Sequence, residues 1–263
     1  MKRDDEPIVW DFPKGRNVRL KILGDLHLGS PLFNRQAFED FKNSITRDTK
    51  IIVVGDLIDN GVMGSPGMYE QTMQPSEAKE LLYQELLPFK KNILCAVPGN
   101  HELRSRKICD SDIMYDVFAR LQIEDLYRPN EVYMCIRIGH KQTTNHKKRP
   151  TYAIYVTHGS GGGSQIGTYV NKAGKVGMCR EGIDLVVMGH SHSPVVFPRK
   201  RIVFDTHNLK VTKKPFRVVI CPSFLDYGGY AARANYEPSA YVDQDLVLHA
   251  DKKAIGYSDE VKL

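Results

Sequence analysis

Long apolar runs are missing from this sequence. Nowhere in its 263 residues do eighteen apolar residues follow one another, so no transmembrane helix and no membrane partner are expected. The chain opens on Met1-Lys2-Arg3-Asp4-Asp5-Glu6 with no apolar stretch behind the charges, which argues against a secretory leader. Paired cysteines are missing too. The five present (Cys95, Cys109, Cys135, Cys179 and Cys221) are scattered, odd in number and never spaced C-x-x-C. A disulfide framework is therefore not expected, and a reducing cytoplasmic setting fits this usage. Cys95 and Cys221 lie in apolar runs, where a thiol serves as a small hydrophobe. A large charge of one sign is absent as well. The formal net charge is +6 with a pI near 8.9, which is not the signature of a dedicated DNA-binding domain. Such a mild excess suits an anionic substrate or nucleic acid, and equally a merely solubilising surface. No internal repeat and no long low-complexity linker interrupts the chain.

What is present is enough apolar material for one large α/β domain, or at most two small ones. Val18–Leu23, Ile51–Val54 and Ile93–Val97 are short apolar runs, as expected of strands covered on both faces. Between them, 33–45 and 75–89 read as helices, the second opened by Pro75-Ser76-Glu77. A further helix is predicted over 112–121. The second half is richer in strands, at 132–138, 152–156, 184–188, 195–203 and 216–220, with a helix near 165–175. This alternation predicts an α/β fold with a second sheet packed on the first.

Five of these strand ends carry the same chemistry. They are Asp25 and His27, Asp56, Asn100 and His101, His158, and His190 and His192. Ligands of open α/β sheets bind beyond the carboxyl ends of strands, so these loops are expected to converge. Mixed carboxylate and imidazole donors suit manganese, iron, zinc or similar ions, whereas an all-oxygen set would favour magnesium or calcium. The absence of thiolates argues against a structural zinc site. Two ions need about seven or eight ligand bonds, and Asp25, His27, Asp56, Asn100, His158, His190 and His192 suffice if Asp56 bridges.

Gly24-Asp25-Leu26-His27, Gly55-Asp56, Gly99-Asn100-His101-Glu102, His158 and Gly189-His190-Ser191-His192 together resemble the calcineurin-like metallophosphoesterases, over about residues 20 to 195. The resemblance implies an αββα sandwich, two mixed β-sheets flanked by helices, with residues 1–263 forming one domain. It implies two divalent ions, manganese first, with iron, zinc, nickel or magnesium as alternatives. Asp25, His27, Asp56 and His192 would take the first; Asp56, Asn100, His158 and His190 the second. His101 would stand near the leaving-group oxygen, and Asp59 would either orient His101 or serve as a turn residue before Asn60-Gly61. The implied activity is hydrolysis of a phosphodiester or phosphomonoester by metal-activated hydroxide, with nucleotides and nucleic acid among the substrates.

Two departures widen the substrate question. Phosphoprotein phosphatases carry an Arg after the second Asp, where this chain has Asn60, although Arg104 follows the Gly-Asn-His-Glu run closely. The nuclease branch carries an additional His shortly after the second Asp motif, and Asn60-Gly61-Val62 supplies none. A phosphoprotein phosphatase and a non-catalytic metal-binding scaffold therefore stand as alternatives. Two basic stretches, 140–149 and Arg199 to Lys214, read either as solvated hairpin tips or as an electropositive rim for a polyanion. The loop 61–74 is expected to cover the pocket through Met63, Met68 and Tyr69, and the glycines of 159–164 to approach a phosphate. The segment 222–238, with Phe224, Tyr227, Tyr230 and Tyr236, either walls the site or packs the sheet. The last dozen residues are expected to fray.

Overall fold

The short apolar runs of the first half become parallel strands. The computed structural model describes residues 2–65, 67–139, 149–161, 165–233 and 237–261. Strands β1 (Ile8–Phe12) and β2 (Val18–Leu23) precede helix α1 (Arg35–Asn43), and β3 (Thr49–Val53) precedes α2 (Pro75–Leu86). Then come β4 (Ile93–Ala96), α3 (Glu102–Cys109), α4 (Ile113–Arg120), β5 (Glu131–Ile138), β6 (Thr151–Thr157), α5 (Ile166–Met178) and β7 (Leu185–Met188). The chain closes with β8 (Val195–Asp205), β9 (Lys210–Ile220), α6 (Gly229–Arg233), β10 (Val242–Leu248) and β11 (Ile255–Val261).

Two mixed sheets result, ordered β1-β5-β6-β7-β9-β8 and β11-β10-β2-β3-β4. Strand parity sorts the side chains into three apolar layers. Leu20, Ile22, Ile52, Val132, Ile154, Val187 and Val219 fill the space between the sheets. Leu23, Ile51, Val53 and Ile93 face the other way, onto Phe38 and Phe41 of α1, Leu82 of α2 and Val117 of α4. Tyr155, Val186, Phe216 and Val218 meet Ala173 of α5 on the outer face of the larger sheet. The architecture is therefore the expected αββα sandwich. Among the described residues, no helix is long and apolar enough to cross a membrane.

Several elements escaped the sequence pattern. Helix α3 begins inside the Gly-Asn-His-Glu motif, where no apolar stripe announces it; its side chains are mostly polar and only Glu102 and Ser105 are buried. Strand β10 alternates cleanly and pairs antiparallel with β2, where buried Lys21 meets Asp243 and Asp245. The chain end does not simply fray. Ile255 to Val261 form a full ladder with β10, because backbone pairing makes an edge strand even of a polar segment. The stretch from Arg199 to Lys214 is mainly strand, not a hairpin tip. The other basic stretch, apart from Arg149, lies outside the described residues, as do residues 162–164 and Tyr236.

Helix α5 seats on the larger sheet through a glycine. A Cβ on Gly177 would stand 2.2 Å from the Phe216 ring, and Arg201 ties the same turn down by donating to the Gly177 and Ile183 carbonyls. Phe216 is buried and sandwiched, so it has nowhere to go. Gly177→Ala should thus destabilise the fold by about 1–3 kcal/mol, the usual cost of overpacking a core. A urea denaturation midpoint equal to wild type would contradict this seating.

Candidate metal centre

The first two strand ends are built as a pair. Past β2 and β3 the chains keep bonding to each other: Asp25 N–H donates to Gly55 O, His27 to Asp56 O and Leu28 to Leu57 O, at 2.9–3.0 Å. Leu26, Leu28, Leu57 and Ile58 are fully buried and anchor the loops in the core. The polar residues between them are forced to the opposite side, onto the sheet edge. The cost is backbone strain. Asp25, His27, Asp56, His190 and His192 all hold positive φ, between 49° and 73°. Non-glycine residues seldom do so, and such residues gather at functional sites.

Glu102, in the first turn of α3, organises the second and third loops. Its buried carboxylate accepts from Asp56 N (2.9 Å), Leu57 N (2.6 Å), Ile58 N (3.2 Å) and Gly99 N (2.8 Å). Burial and the neighbouring Asp56 charge push its pKa up, while the Gly99 and Ile58 amides pull against that. Gly99 is required by the closeness it creates: a Cβ there would lie 2.1 Å from Asp56 Oδ1. The motif Glu was quoted in the sequence without a role; its task is to hold the loops, and only three-dimensional contact reveals it.

These loops bring all seven candidate ligands together with β6 and β7. Asp25, His27 and His192 hold ligand atoms within 4.8 Å of one another, and so do Asp56, His158 and His190. Asn100 joins the second group with Oδ1 3.1 Å from His158 Nε2. Asp56 lies between the groups, its Oδ2 3.2 Å from His158 Nε2 and 3.9 Å from His27 Nε2. A third grouping, His27, Asp59 and His101, uses the other nitrogen of His27.

Whether these residues fit cations is decided by where their lone pairs point. His158 Nδ1–H donates to Val54 O at 2.6 Å, and His190 Nε2–H donates to Gly161 O at 3.0 Å. With those protons placed, His158 Nε2 and His190 Nδ1 are the nitrogens left facing each other, 3.3 Å apart. His27 Nε2 and His192 Nε2 face each other at 3.2 Å beside Asp25 Oδ1, which is 3.4 Å from His192. Facing nitrogens of this kind need a positive charge between them, a proton on one of them or a shared cation. The titration behaviour agrees. Burial alone would lower the His158 pKa, but the Asp56 carboxylate overrides it and pushes the group up to about 10. His27, buried and beside His101, falls to about 4, which leaves it a neutral ligand. Both sets therefore fit a divalent cation, and in the second set carbonyl groups fix the tautomers of His158 and His190, as is usual around metals.

The remaining sequence candidates take distinct positions. His101 Nδ1–H donates to the Asp59 carbonyl at 2.6 Å, and the Asp59 carboxylate lies 3.4 Å from both His101 Nδ1 and His27 Nδ1. Asn60 points inward: its Nδ2 donates to His101 O at 2.6 Å and to Ser105 Oγ at 3.0 Å. Arg104 occupies the free side of His101, donating from Nη1 to Asp59 O and from Nη2 to His101 Nε2, both at 2.9 Å. Cys221, assigned no role from sequence, donates its thiol to Asp25 Oδ2 at 3.2 Å. The expected cover loop does not reach the ligands through its large side chains, since Met63 and Tyr69 are 81% and 93% exposed. Gln71 ties that loop to itself through both backbone groups of Gly61. Phe224 packs the sheet against Phe38 and Phe41.

Glu102→Gln replaces one acceptor oxygen by an NH2 that opposes backbone amides. It should cost about 2 kcal/mol, a melting temperature lower by roughly 4–8 °C, and should weaken metal retention on dialysis. An unchanged melt would show that the four amides do not need the carboxylate.

No curated protein matches this sequence. Among solved structures it is similar to a metallophosphoesterase from Sphaerobacter thermophilus, at 14% identity and a TM-score of 0.42, covering 93% of this chain and 89% of that one. It is also similar to a conserved protein of Streptococcus pneumoniae described as a predicted phosphoesterase, at 11% identity and a TM-score of 0.37, covering 93% and 99%. A protein serine/threonine phosphatase from Saccharomyces cerevisiae aligns at 11% identity and a TM-score of 0.36, over 99% of this chain and 85% of that one. The sequence model of one family, calcineurin-like phosphoesterase, matches residues 18–194. That span holds all seven convergent ligands, His101 and the Glu102 brace, and on this match the chain belongs to the calcineurin-like phosphoesterase family.

Proposed function

We propose that this chain is a two-metal phosphoester hydrolase acting as a single domain. The observation that carries the reading is the pair of clusters of facing imidazole nitrogens with the Asp56 carboxylate between them. Asp25, His27, Asp56 and His192 would hold one ion, and Asp56, Asn100, His158 and His190 the other. Bound divalent ions would polarise the phosphoryl group and make a water more acidic. Manganese suits this mixed set of imidazole and oxygen donors.

The protein's own groups supply the rest. Asp59 O and Arg104 hold the His101 ring by its two nitrogens, and its Nε2 edge stands 4.0 Å from Asp56 Oδ2. Once substrate displaces the Arg104 contact and Nε2 takes up a proton from solvent, His101 would donate that hydrogen to the leaving oxygen. Arg104 is the cation at the site, half-buried and next to His101. Asn60 is turned away, so Arg104 takes the part of binding a non-bridging phosphate oxygen. This favours a substrate with a charged, accessible phosphate and keeps the phosphoprotein phosphatase as the second reading. The intact ligand set beside His101 argues against a mere scaffold.

The test starts with metal analysis of the purified protein. A panel of bis-p-nitrophenyl phosphate, p-nitrophenyl phosphate, a phosphopeptide and DNA, each with Mn²⁺, follows. Turnover on at least one, abolished by chelation, is expected; metals bound with no turnover on any would favour the scaffold. His101→Asn should keep its metal content and lose turnover by on the order of 100-fold. If that variant loses both metals, His101 is a ligand and its proposed role fails. Arg104→Ala should raise KM by about tenfold or more, the worth of one charged hydrogen bond. A change in kcat alone would remove it from substrate binding.

A further inference from the structure

Strands β8 and β9 outrun the sheet that carries them. β7 pairs with β9 only from Arg217 to Ile220, whereas β8 pairs with β9 along its whole length, to Asp205↔Lys210. From Arg199↔Phe216 outward the two strands form a ribbon without a third neighbour, seven residue pairs or roughly 24 Å long. Its direction matters. β9 runs parallel to β7, whose far end leads into His190, so the ribbon leaves from the sheet end opposite the metal centre. The expected electropositive rim of the site is therefore not what this segment forms.

Its composition is lopsided. Residues 195–220 contain seven Lys and Arg against one carboxylate, so this hairpin carries a net +6, equal to the formal charge of the whole chain. The lone carboxylate, Asp205, is engaged at the tip by His207 N, Asn208 N and Asn208 Nδ2. Arg201 is buried against α5 and is structural. Arg199, Lys200, Lys210, Lys213 and Lys214 are all exposed, and none is ion-paired with a carboxylate among the described residues. By strand parity Lys200 and Lys213 lie on one face, and Arg199, Lys210 and Lys214 on the other. The first face also carries Ile202, Phe204 and Val211, at 74%, 59% and 60% exposed. It continues the side on which Val196 and Val219 meet the core, but past the cover of the second sheet.

A slender ribbon with cations on both faces and an apolar strip along one of them matches one kind of surface. The major groove of a nucleic-acid duplex admits a two-stranded β-ribbon, offers apolar methyl groups on its floor, and is flanked by phosphates on both sides. We propose that the β8–β9 ribbon is a docking arm for duplex DNA, gripping it away from the metal centre. Charge complementarity selects the partner, and the geometry of the ribbon selects a groove over a flat surface. The arm stands whether or not the site hydrolyses the molecule it holds.

Fluorescence anisotropy with a labelled DNA duplex of about twenty base pairs, titrated against the full chain at several salt concentrations, tests this. With five exposed cations in play, the logarithm of the binding constant should fall with that of salt with a slope of about −4 to −5. The combined variant Lys200→Gln, Lys210→Gln, Lys213→Gln, Lys214→Gln should flatten the slope by about 3 to 4 and weaken binding on the order of 100-fold. The same four positions changed to Arg should keep both values, and the melting temperature of each set should match wild type because all four side chains are exposed. Hydrolysis of bis-p-nitrophenyl phosphate should be unaffected by the Gln set, which separates the arm from the reaction. Undiminished duplex binding by the Gln set, equal affinity for a single strand, or tighter binding to phosphatidylserine vesicles than to DNA would each overturn the proposal.

Discussion

A single buried carboxylate sets the geometry on which the candidate metal centre depends. Glu102 gathers amides from the loop after β3 and the loop after β4, and so locks Asp56 and Asn100 into one frame. The Asp56 carboxylate in turn accepts from His101 N at 2.8 Å, which returns the constraint to the start of α3. A carboxylate out of water is stable only when hydrogen-bonded on all sides, so these amides and this charge need each other. The same economy appears at Asp25, which accepts from His190 N and from the Cys221 thiol. Asp25 and Asp56 thereby fix the backbone that carries His190 and Asn100.

This mutual bracing explains how the strained backbone survives. Five candidate ligands sit in left-handed conformations that cost on the order of 1–3 kcal/mol each. Fully buried leucines on the alternate positions, and the ladder that continues past β2 and β3, hold Asp25, His27 and Asp56 there, while the Asp25 carboxylate holds His190 N. The result is a set of imidazole nitrogens turned toward one another, an arrangement that favours a positive charge between them. Rigidity here belongs to the ligand frame and extends through the Asp59–His101–Arg104 contacts. Met63 and Tyr69 of the 61–74 loop stand apart from it, in solvent.

The polar ends of strands were readable in sequence because alternation and apolar runs locate strand termini, and Asp, His and Asn rarely cluster there by accident. The helices with apolar stripes, α1, α2, α4 and α5, were readable for the same reason. Helix α3 was not, since its inward side is Glu102 and Ser105, not a row of hydrophobes. Strand β11 was not, because edge strands draw stability from a partner's backbone, which sequence does not display. The reach of Tyr69 and Met63 was misjudged because a loop's path depends on how Gln71 closes it, a contact ten residues away from Gly61.

Sequence alone determined the residue types, their order along the chain and the strand ends that present them, because covalent spacing and hydrophobic periodicity are local properties. It also placed the basic residues of 199–214 together. Tertiary structure decided which nitrogens face which, that Asn60 turns inward while Arg104 turns to His101, and that Glu102 is the brace. It decided, too, that the basic segment is a ribbon at the far end of the sheet. Those outcomes rest on side-chain hydrogen bonds and burial between residues dozens to nearly two hundred positions apart, and such distances are closed only by the fold.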